Sequence, residues 1–498
     1  MIDRRSFLTS ATVLAAAGAM RPTIAALQPK GPPRLRFGIL SDIHITDEAS
    51  TGPFEKALRK FDEWKADGVI ACGDLADWGV IPQLERVAAT WFKVFPGGRR
   101  SDGAKVENLM HYGDHDTSGY FYRGNPGCVK TYPDVEKMKK DIIPLGDRKA
   151  IWENAFKEEW APIVHTRVKG YDFILSHFTR GEKGNEWGDN VPGLEEFFEK
   201  LAPKLEKNKP FFYSQHRIPR GTVGNEYLYG QDDGSTTKLF SKYPDLMAFC
   251  GHAHLACFDE QALWQGAFTC LQVPSLSYNT TQGGRDNGYA SATPWKSPRW
   301  QMQFFPLGHT KQGLFAKVYD NAIVISRHDF RFGQILGPDW VIPLPLSGDR
   351  PFAYARRAQT EPVPVFPDGA EVSVTRRMKK DRTGKERDIY EVTFPAAVSK
   401  VGAPRAHDYE VQIETFRRGI GKIEATKRVF STRCMFGEGE DLKTPVVCDF
   451  DVDCVPDDLS LRFIARPLNA FGRRGEEISV TFPAGKLPKA LKKTEKKA

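Results

Sequence analysis

Cysteine is scarce in this sequence: eight residues are spread over 498 positions, and none forms a Cys-x-x-Cys pair. This usage excludes a disulfide-stapled scaffold and gives no support to a thiolate zinc site. No apolar run beyond the first residues approaches the roughly 18 positions that a membrane-spanning helix needs. A phosphate-binding P-loop and a Gly-x-Ser-x-Gly motif are also absent, which argues against a P-loop ATPase and a serine hydrolase of the elbow type.

The body of the chain also carries little excess charge. The formal net charge is +8, of which the segment from Lys486 to Ala498 contributes +5 and the first 21 residues contribute +2. The remainder is close to neutral, so we expect no nucleic-acid partner. The Lys-rich tail is either a solvated end or a weak contact for anionic cell-surface polymer.

What the sequence does contain begins with an export pattern. Arg4 and Arg5 precede Ser-Phe-Leu and a mildly apolar run that ends at Ala19, and small residues follow at 23–26. This arrangement resembles a twin-arginine signal with a cleavage site. We therefore expect a signal peptide over residues 1–26 and a periplasmic or secreted protein that is exported already folded. An ordinary N-terminal helix is the alternative.

Short apolar runs bounded by turn residues predict buried parallel strands. These runs are Leu35–Leu40, Val69–Cys72, Asn108–Tyr112, Phe173–Ser176, Pro210–Ser214 and Leu246–Cys250. Apolar stripes with helical spacing, beginning at Phe54, Leu84 and Leu194, lie between some of them. The alternation predicts an α/β fold in layers.

Carboxylates and imidazoles follow five of these strands. They are Asp42, His44, Asp74, Asp77, Asp114, His115, Asp116, His216, His252 and His254. Because the carboxyl ends of parallel strands meet at one edge, we expect these side chains to form one cluster. Carboxylate oxygens and neutral imidazole nitrogens suit Mn, Fe or Zn. The glycines before Asp74, Asp114 and His252 are expected to let the backbone turn sharply toward such metals.

In this order, from residue 35 to about residue 330, the motifs resemble the calcineurin-like metallophosphoesterase superfamily. The resemblance implies two packed mixed sheets flanked by helices and a dinuclear metal centre. It implies one metal on Asp42, His44, Asp74 and His254, and a second on Asp74, Asp114, His216 and His252. It also implies attack by a metal-bridging hydroxide, with His115 as the general acid and Asp116 orienting His115.

One position departs from the resemblance, because the family usually has Asn where this chain has Asp114. An amide can both bind a metal and donate a hydrogen bond to phosphate, whereas an ionised carboxylate cannot donate. The leading hypothesis is an exported metal-dependent hydrolase of a small phosphate mono- or diester. The alternative is a non-catalytic cell-envelope binding protein that keeps the fold. A nuclease fits less well, since the body of the chain is nearly neutral.

Several further residues are open to a functional and to a structural interpretation. Four arginines could clamp a phosphate, or they are ordinary surface residues: Arg123, Arg180, Arg217 and Arg220. His165 and His177 could line the pocket, although His177 ends an apolar strand and suits the core. Asp77 is expected to support the Asp74 loop, and Ser275 to belong to loop structure.

The composition changes near residue 345, where prolines become frequent and helical patterns stop. Five alternating stretches between Glu371 and Phe482 predict an all-β sandwich. The segment Phe463–Gly472 resembles the late strands of fibronectin type III domains. The predicted organisation is a signal peptide (1–26), a linker (27–34), a metallophosphoesterase domain (35–345), a second linker (346–368), a sandwich (369–484) and a Lys-rich tail (485–498).

Overall fold

The structure is a computed structural model of the 498-residue chain. It describes residues 27–116, 140–144, 146–179, 192–224, 228–282, 289–290, 302–304, 310–381, 384–397, 406–430, 445–456 and 458–488. The predicted signal peptide, most of the predicted tail, Arg123 and Arg180 lie outside the described residues. Among the described residues, no helix combines the length and apolarity needed to cross a membrane.

Strands and helices alternate through the first two thirds of the chain. In order they are β1 Leu35–Leu40, α1 Thr51–Glu63, β2 Gly68–Cys72, α2 Ile81–Val94, β3 Glu107–His111, α3 Arg148–Phe156, β4 Ile163–Val168, β5 Tyr171–Ser176, α4 Leu194–Leu201, β6 Phe211–Ser214, α5 Ser235–Phe240, β7 Leu246–Cys250, β8 Leu263–Gln265, β9 Thr269–Gln272, β10 Thr280–Gln282, β11 Tyr289–Ala290, β12 Met302–Phe304, β13 Gln312–Val318, β14 Ala322–Asp329, β15 Gln334–Ile335 and β16 Trp340–Pro343. Short 3-10 helices lie at Pro96–Gly98, Ala202–Lys204 and Glu260–Ala262.

Two mixed sheets form the body of this region. The first has the strand order β15-β14-β13-β1-β2-β3, with β16 also paired to β14, and the second has the order β4-β5-β6-β7-β9-β8. Phe37 of β1 packs against the second sheet, with its ring centroid 5.1 Å from that of Phe212 and 5.9 Å from that of Phe249. The next residue, Gly38, faces the opposite side, where a Cβ would collide with the Phe61 ring of α1. The predicted α/β fold of two mixed sheets flanked by helices is confirmed.

The five strands that precede the chemical motifs do not share one sheet, as the parallel-edge argument had assumed. β1, β2 and β3 are parallel neighbours in the first sheet, whereas β6 and β7 are parallel neighbours in the second. Their carboxyl ends nevertheless meet, because the two sheets pack face to face. His216, after β6, has its Nδ1 2.7 Å from the carbonyl oxygen of Cys72 at the end of β2.

The C-terminal region is mostly β-structure, as expected. After a short helix, α6 Tyr354–Thr360, come β17 Ser373–Lys380, β18 Glu386–Phe394, β19 Asp408–Arg417, β20 Ile420–Phe430, β21 Val446–Asp451, β22 Ser460–Leu468 and β23 Ile478–Phe482. They form two antiparallel sheets, β17-β18-β21 and β20-β19-β22-β23, around a separate apolar core. The all-β class is confirmed, and the fibronectin type III resemblance stays a prediction. Helix α6 lies inside the segment predicted as a plain linker.

Candidate metal centre

The structure brings the seven predicted ligand residues together at the edge where the two sheets meet. They form two groups that share Asp74: one is Asp42, His44, Asp74 and His254, and the other is Asp74, Asp114, His216 and His252. Within each group, one possible ligand atom per residue lies within 4.8 Å of the others. All seven residues are buried, with at most 7% of their surface exposed.

The first group is built from the ends of β1 and β7 together with Asp74. His254 Nε2 lies 3.1 Å from Asp42 Oδ1 and 3.2 Å from His44 Nε2. His44 Nε2 lies 3.7 Å from Asp74 Oδ2. One carboxylate oxygen of Asp74 therefore faces this group.

The second group uses the other oxygen of Asp74. His216 Nε2 lies 3.2 Å from Asp74 Oδ1 and 3.0 Å from Asp114 Oδ1. His252 Nδ1 lies 3.3 Å from Asp114 Oδ1 and 3.2 Å from His216 Nε2. Asp74 thus presents one oxygen to each group, which is the arrangement that a bridging carboxylate requires.

Outer hydrogen bonds fix which nitrogen three of the histidines turn inward. Nδ1 of His44 lies 2.8 Å from Asp77 Oδ1, and Nδ1 of His216 and of His254 lie 2.7 and 3.0 Å from the carbonyl oxygens of Cys72 and Tyr278. A carbonyl or carboxylate oxygen only accepts, so each Nδ1 donates and each Nε2 keeps its lone pair for the centre. Asp77 therefore supports His44, as well as lying on the Asp74 loop.

The backbone at the centre is held in an unusual conformation. Asp42, His44, Asp74, His252 and His254 have φ values of 50°, 50°, 50°, 70° and 54°. Non-glycine residues rarely adopt this left-handed region, at a cost of about 1–3 kcal/mol each. Such a conformation persists only where surrounding contacts enforce it, and functional sites are where it is concentrated.

The glycines of the motifs were expected to supply sharp turns, and only one of the three does so. Gly73 has φ of +81°. Gly113 and Gly251 instead provide room, because a Cβ on Gly251 would overlap Ser41 Oγ and lie 2.7 Å from Asp42 Oδ2. A Cβ on Gly113 would overlap the Asp74 carboxylate.

The carboxylates of the centre are held ionised despite their burial. Burial alone raises the pKa of Asp42 and of Asp114, but the histidines outweigh it, chiefly His254 for Asp42 and His252 for Asp114, so both pKa values fall below the usual range. The pKa of His216 is displaced upward, because Asp74 and Asp114 overcome the effect of burial. The pocket is thus strongly favourable for positive charge.

The residues present fit divalent cations. Asp114 Oδ2 is buried and accepts no hydrogen bond within the described part of the chain, and its approach to Arg217 Nη2 is a longer 3.9 Å. A buried carboxylate oxygen without a donor is costly unless a cation completes it. The donor set of carboxylate oxygens and imidazole nitrogens suits Mn, Fe or Zn.

His115 lies beside the groups, and its orientation by Asp116 stays a prediction. The Asp116 carboxylate accepts from the backbone N–H groups of Ala76 and Gly113, both at 2.6 Å. The His115 ring is held by Asp77, whose carbonyl oxygen lies 2.9 Å from Nδ1. His115 Nε2 is 3.9 Å from Asp74 Oδ2, so this nitrogen faces the centre. Burial raises the pKa of Asp116 to about 7.

The remaining candidates divide between the centre and the core. Arg217 approaches Asp114, and its guanidinium carbon lies 5.8 Å from the Phe178 ring centroid. His165 bonds to Asp172 on the neighbouring strand β5, and His177 is a buried core residue whose Nδ1 accepts from the Tyr112 N–H. Ser275 is loop structure that nevertheless supports the site, since its hydroxyl donates to the Asp42 carbonyl at 2.9 Å.

Sequence reasoning missed two tyrosines that wall the histidines. The Tyr278 ring centroid lies 4.1 Å from that of His254, and the Tyr229 ring stacks on His252 with centroids 5.2 Å apart. Neither tyrosine sits at the end of an apolar run with a motif around it. No signal in one sequence separates them from other loop aromatics.

Comparison with known proteins agrees with this description. Residues 35–256 match the family model described as calcineurin-like phosphoesterase. No curated protein matches the chain.

Several solved structures are similar. A dimetal phosphatase from Danio rerio is 10% identical with a TM-score of 0.36, covering 62% of this chain and 99% of that one. The purple acid phosphatase PPD1 from yellow lupin (Lupinus luteus) seeds is 15% identical with a TM-score of 0.36, and the match covers 65% of this chain and 57% of that one. GAP50, the anchor in the inner membrane complex of Plasmodium, is 13% identical with a TM-score of 0.35, and the match covers 62% of this chain and 88% of that one.

Proposed function

We propose that this chain, whose residues 35–256 form a calcineurin-like phosphoesterase domain, is a metal-dependent hydrolase of phosphate mono- or diesters. The observation that carries the proposal is the pair of buried four-residue groups that share Asp74. An isolated Asp-x-His or His-x-His motif would carry little weight. Seven acids and imidazoles from five strand ends, gathered with one carboxylate between two groups, have no comparable structural explanation.

The roles of the side chains follow from their positions. Asp42, His44 and His254 would hold one cation, Asp114, His216 and His252 a second, and Asp74 both. When bound, two divalent cations of the Mn, Fe or Zn type supply Lewis acidity toward phosphoryl oxygens and a hydroxide nucleophile at neutral pH. The protein's own contribution is a buried pocket whose ligand nitrogens are aimed in advance by Asp77, Cys72 and Tyr278.

His115 is the proposed general acid. Its Nδ1 donates to the Asp77 carbonyl oxygen, so the ring cannot turn freely, and Nε2 faces the centre. In the imidazolium form Nε2 carries a proton that the leaving oxygen can take as the phosphorus–oxygen bond breaks. Imidazole is the side chain best suited to this transfer near neutral pH.

Export through the twin-arginine route is part of the same proposal, because Arg4 and Arg5 head a signal-like segment. A protein that folds around its metals before export benefits from a route that carries folded chains. Cell fractionation should place the protein outside the cytoplasm, and an Arg4→Lys, Arg5→Lys double variant should accumulate inside. Equal fractionation of the two proteins would contradict the assignment.

The hydrolase proposal is tested with the purified protein and two generic substrates. Metal-free protein should be inactive, and added Mn²⁺ should produce hydrolysis of p-nitrophenyl phosphate, of bis(p-nitrophenyl) phosphate, or of both. An Asp74→Asn variant should lose this activity together with Mn²⁺ binding. Bound metal without turnover of either ester would favour the alternative, an envelope binding protein that retains the fold.

A further inference from the structure

The segment that follows the last candidate ligand is gripped by the C-terminal region. We call residues 255–261 the post-ligand segment, because they begin directly after His254. This segment belongs to the first two thirds of the chain and lies against the sandwich of β17–β23. Its contacts come from the linker helix α6 and from one end of the sandwich.

The sandwich contacts the post-ligand segment at both polar and apolar positions. His407, directly before β19, has its Nε2 3.0 Å from Asp259 Oδ2, and the two residues are 5% and 1% exposed. Phe430, the last residue of β20, packs with Ala256 and with the partly buried Phe258. These contacts join residues that are distant in sequence, since His407 and Asp259 are separated by 148 positions.

The linker helix adds a buried ionic contact to the same segment. Glu260 accepts from Arg357 of α6, at 2.5 Å, from Arg327 of β14, at 2.6 Å, and from the Trp340 indole, at 2.8 Å. The Arg357 guanidinium carbon also lies 4.8 Å from the ring centroid of Phe471 in the sandwich. The buried Glu260 carboxylate is therefore paired with two arginines, and its contacts connect the post-ligand segment to α6, β14 and β16.

The post-ligand segment is coupled to the ligands through main-chain bonds. The Thr280 N–H donates to the His254 carbonyl oxygen at 2.8 Å, and the Ala256 N–H donates to the Thr280 carbonyl oxygen at 3.1 Å. His252 and His254 both have left-handed backbone conformations. Because strained conformations depend on surrounding contacts, loosening the post-ligand segment would let these two histidines relax away from the centre.

We propose that the sandwich is a brace for the metal-binding loop, and that His407, through Asp259, is a positioning residue for His252 and His254. One end of the C-terminal sandwich would then stabilise the metal-binding loop of the phosphoesterase domain from outside that domain. This inference goes beyond the proposed function. It rests on metal binding by the two groups and is independent of which ester, if any, is hydrolysed.

The test compares three variants of the full chain, one of which is His407→Gln. His407→Ala removes the donor to Asp259. Val411→Ala is the matched control, because Val411 is fully buried in the sandwich core on the strand that follows His407, and the described members of that core include no residue of the post-ligand segment. Each variant is examined for thermal unfolding, for Mn²⁺ affinity by calorimetric titration of metal-free protein, and for amide hydrogen exchange over residues 251–262.

We expect His407→Ala to weaken Mn²⁺ binding about fivefold, within the range of coupling through packed networks. Exchange over residues 251–262 should also accelerate. Val411→Ala should lower the unfolding temperature while leaving both quantities as in the unsubstituted protein. His407→Gln, whose amide can donate to Asp259, should recover most of the loss.

Two results would overturn the brace. One is unchanged Mn²⁺ affinity and unchanged local exchange in His407→Ala. The other is an equal effect of Val411→Ala, which would show that general destabilisation is responsible. Failure of the unsubstituted protein to bind Mn²⁺ would instead overturn the proposed function, and the exchange measurement would still decide whether the sandwich holds the loop.

Discussion

Asp114 decides the charge of the second metal group. It adds a third buried carboxylate to those of Asp42 and Asp74, and its Oδ1 lies close to both His216 and His252. A carboxylate attracts divalent cations more strongly than an amide does, but it repels phosphate and has no proton to donate. Metal affinity and phosphate affinity should therefore respond in opposite directions when this charge is removed.

Asp114→Asn should weaken Mn²⁺ binding about tenfold or more, by analogy with other losses around metal sites. The same variant should bind inorganic phosphate more tightly, because it loses a negative charge and gains an N–H donor. Calorimetric titration with Mn²⁺, followed by titration of the loaded protein with phosphate, measures both. Asp232→Asn, another buried carboxylate outside the two groups, is the control, and unchanged values for Asp114→Asn would remove Asp114 from the ligand set.

His115 should matter for the leaving group and little for the metals. His115→Asn is expected to lower kcat by about 10²- to 10⁴-fold for alkyl phosphates, whose leaving oxygen needs a proton. For p-nitrophenyl esters, whose leaving group is stable as an anion, the loss should be much smaller. Steady-state kinetics with both substrate types and metal analysis of the variant provide the check. An equal loss on both substrates would contradict the general-acid role.

At the scale of loops and strands, close approach of the motif segments matters as much as the turns within them. Gly251→Ala would place a methyl group against Ser41 Oγ and the Asp42 carboxylate. We expect a loss of about 1–3 kcal/mol in the free energy of unfolding, as for other overpacked sites, with weaker Mn²⁺ binding. Denaturant unfolding and metal titration measure the two effects.

Gly52→Ala provides the comparison, because Gly52 lies in α1 with open space where its Cβ would be. This variant should be neutral or more stable by up to about 1 kcal/mol, since alanine favours helices. If both substitutions were tolerated equally, the space at Gly251 would not be needed for the centre.

Strands with a buried, uninterrupted apolar run were predictable from the sequence. The bounds of β1 and β7 match the predicted runs Leu35–Leu40 and Leu246–Cys250. Strand β20 was not predicted, because all but its last two side chains are exposed or partly exposed, Ile420 and Ile423 among them, so that apolar and polar positions do not alternate. Helix α6 was not predicted for a related reason: its one buried residue is Arg357, so its sequence shows no apolar stripe.

The candidate ligands themselves were predictable because each follows a buried strand, and strand ends converge. Their outer partners were not. Tyr278 and Cys72 support histidines through backbone carbonyl oxygens, which any residue type could supply. The left-handed backbone at His252 and His254 is likewise a product of tertiary contacts.

At the scale of the whole molecule, the contact between sandwich and phosphoesterase domain depends on buried charge as well as on apolar packing. His407 faces Asp259 across the boundary, and Asp408 beside it is paired with Arg428. No local sequence pattern predicts the pair of His407 and Asp259, because the two residues come from different domains. The His407–Asp259 pair predicts how the free energy of unfolding changes with pH.

Burial lowers the pKa of His407, but Asp259 and then Asp408 outweigh it and raise the pKa to about 9 from an ordinary 6.5. Because the folded value is the higher one, the stabilisation is complete below about pH 6.5 and disappears as the pH rises through about 9. A shift of this size corresponds to about 3 kcal/mol. His407→Ala should therefore differ from the unsubstituted protein by about 3 kcal/mol more at pH 6 than at pH 10.

Denaturant unfolding at low salt, across pH 6 to pH 10, measures that difference, and comparing the two proteins at each pH cancels the titration of all other groups. Val411→Ala, which removes apolar packing only, should differ from the unsubstituted protein by the same amount at every pH. A pH-independent difference for His407→Ala would mean that the pKa of His407 is the same in the folded and the unfolded protein. The boundary would then be held by Phe430, Arg357 and their apolar neighbours, without an ion pair between His407 and Asp259.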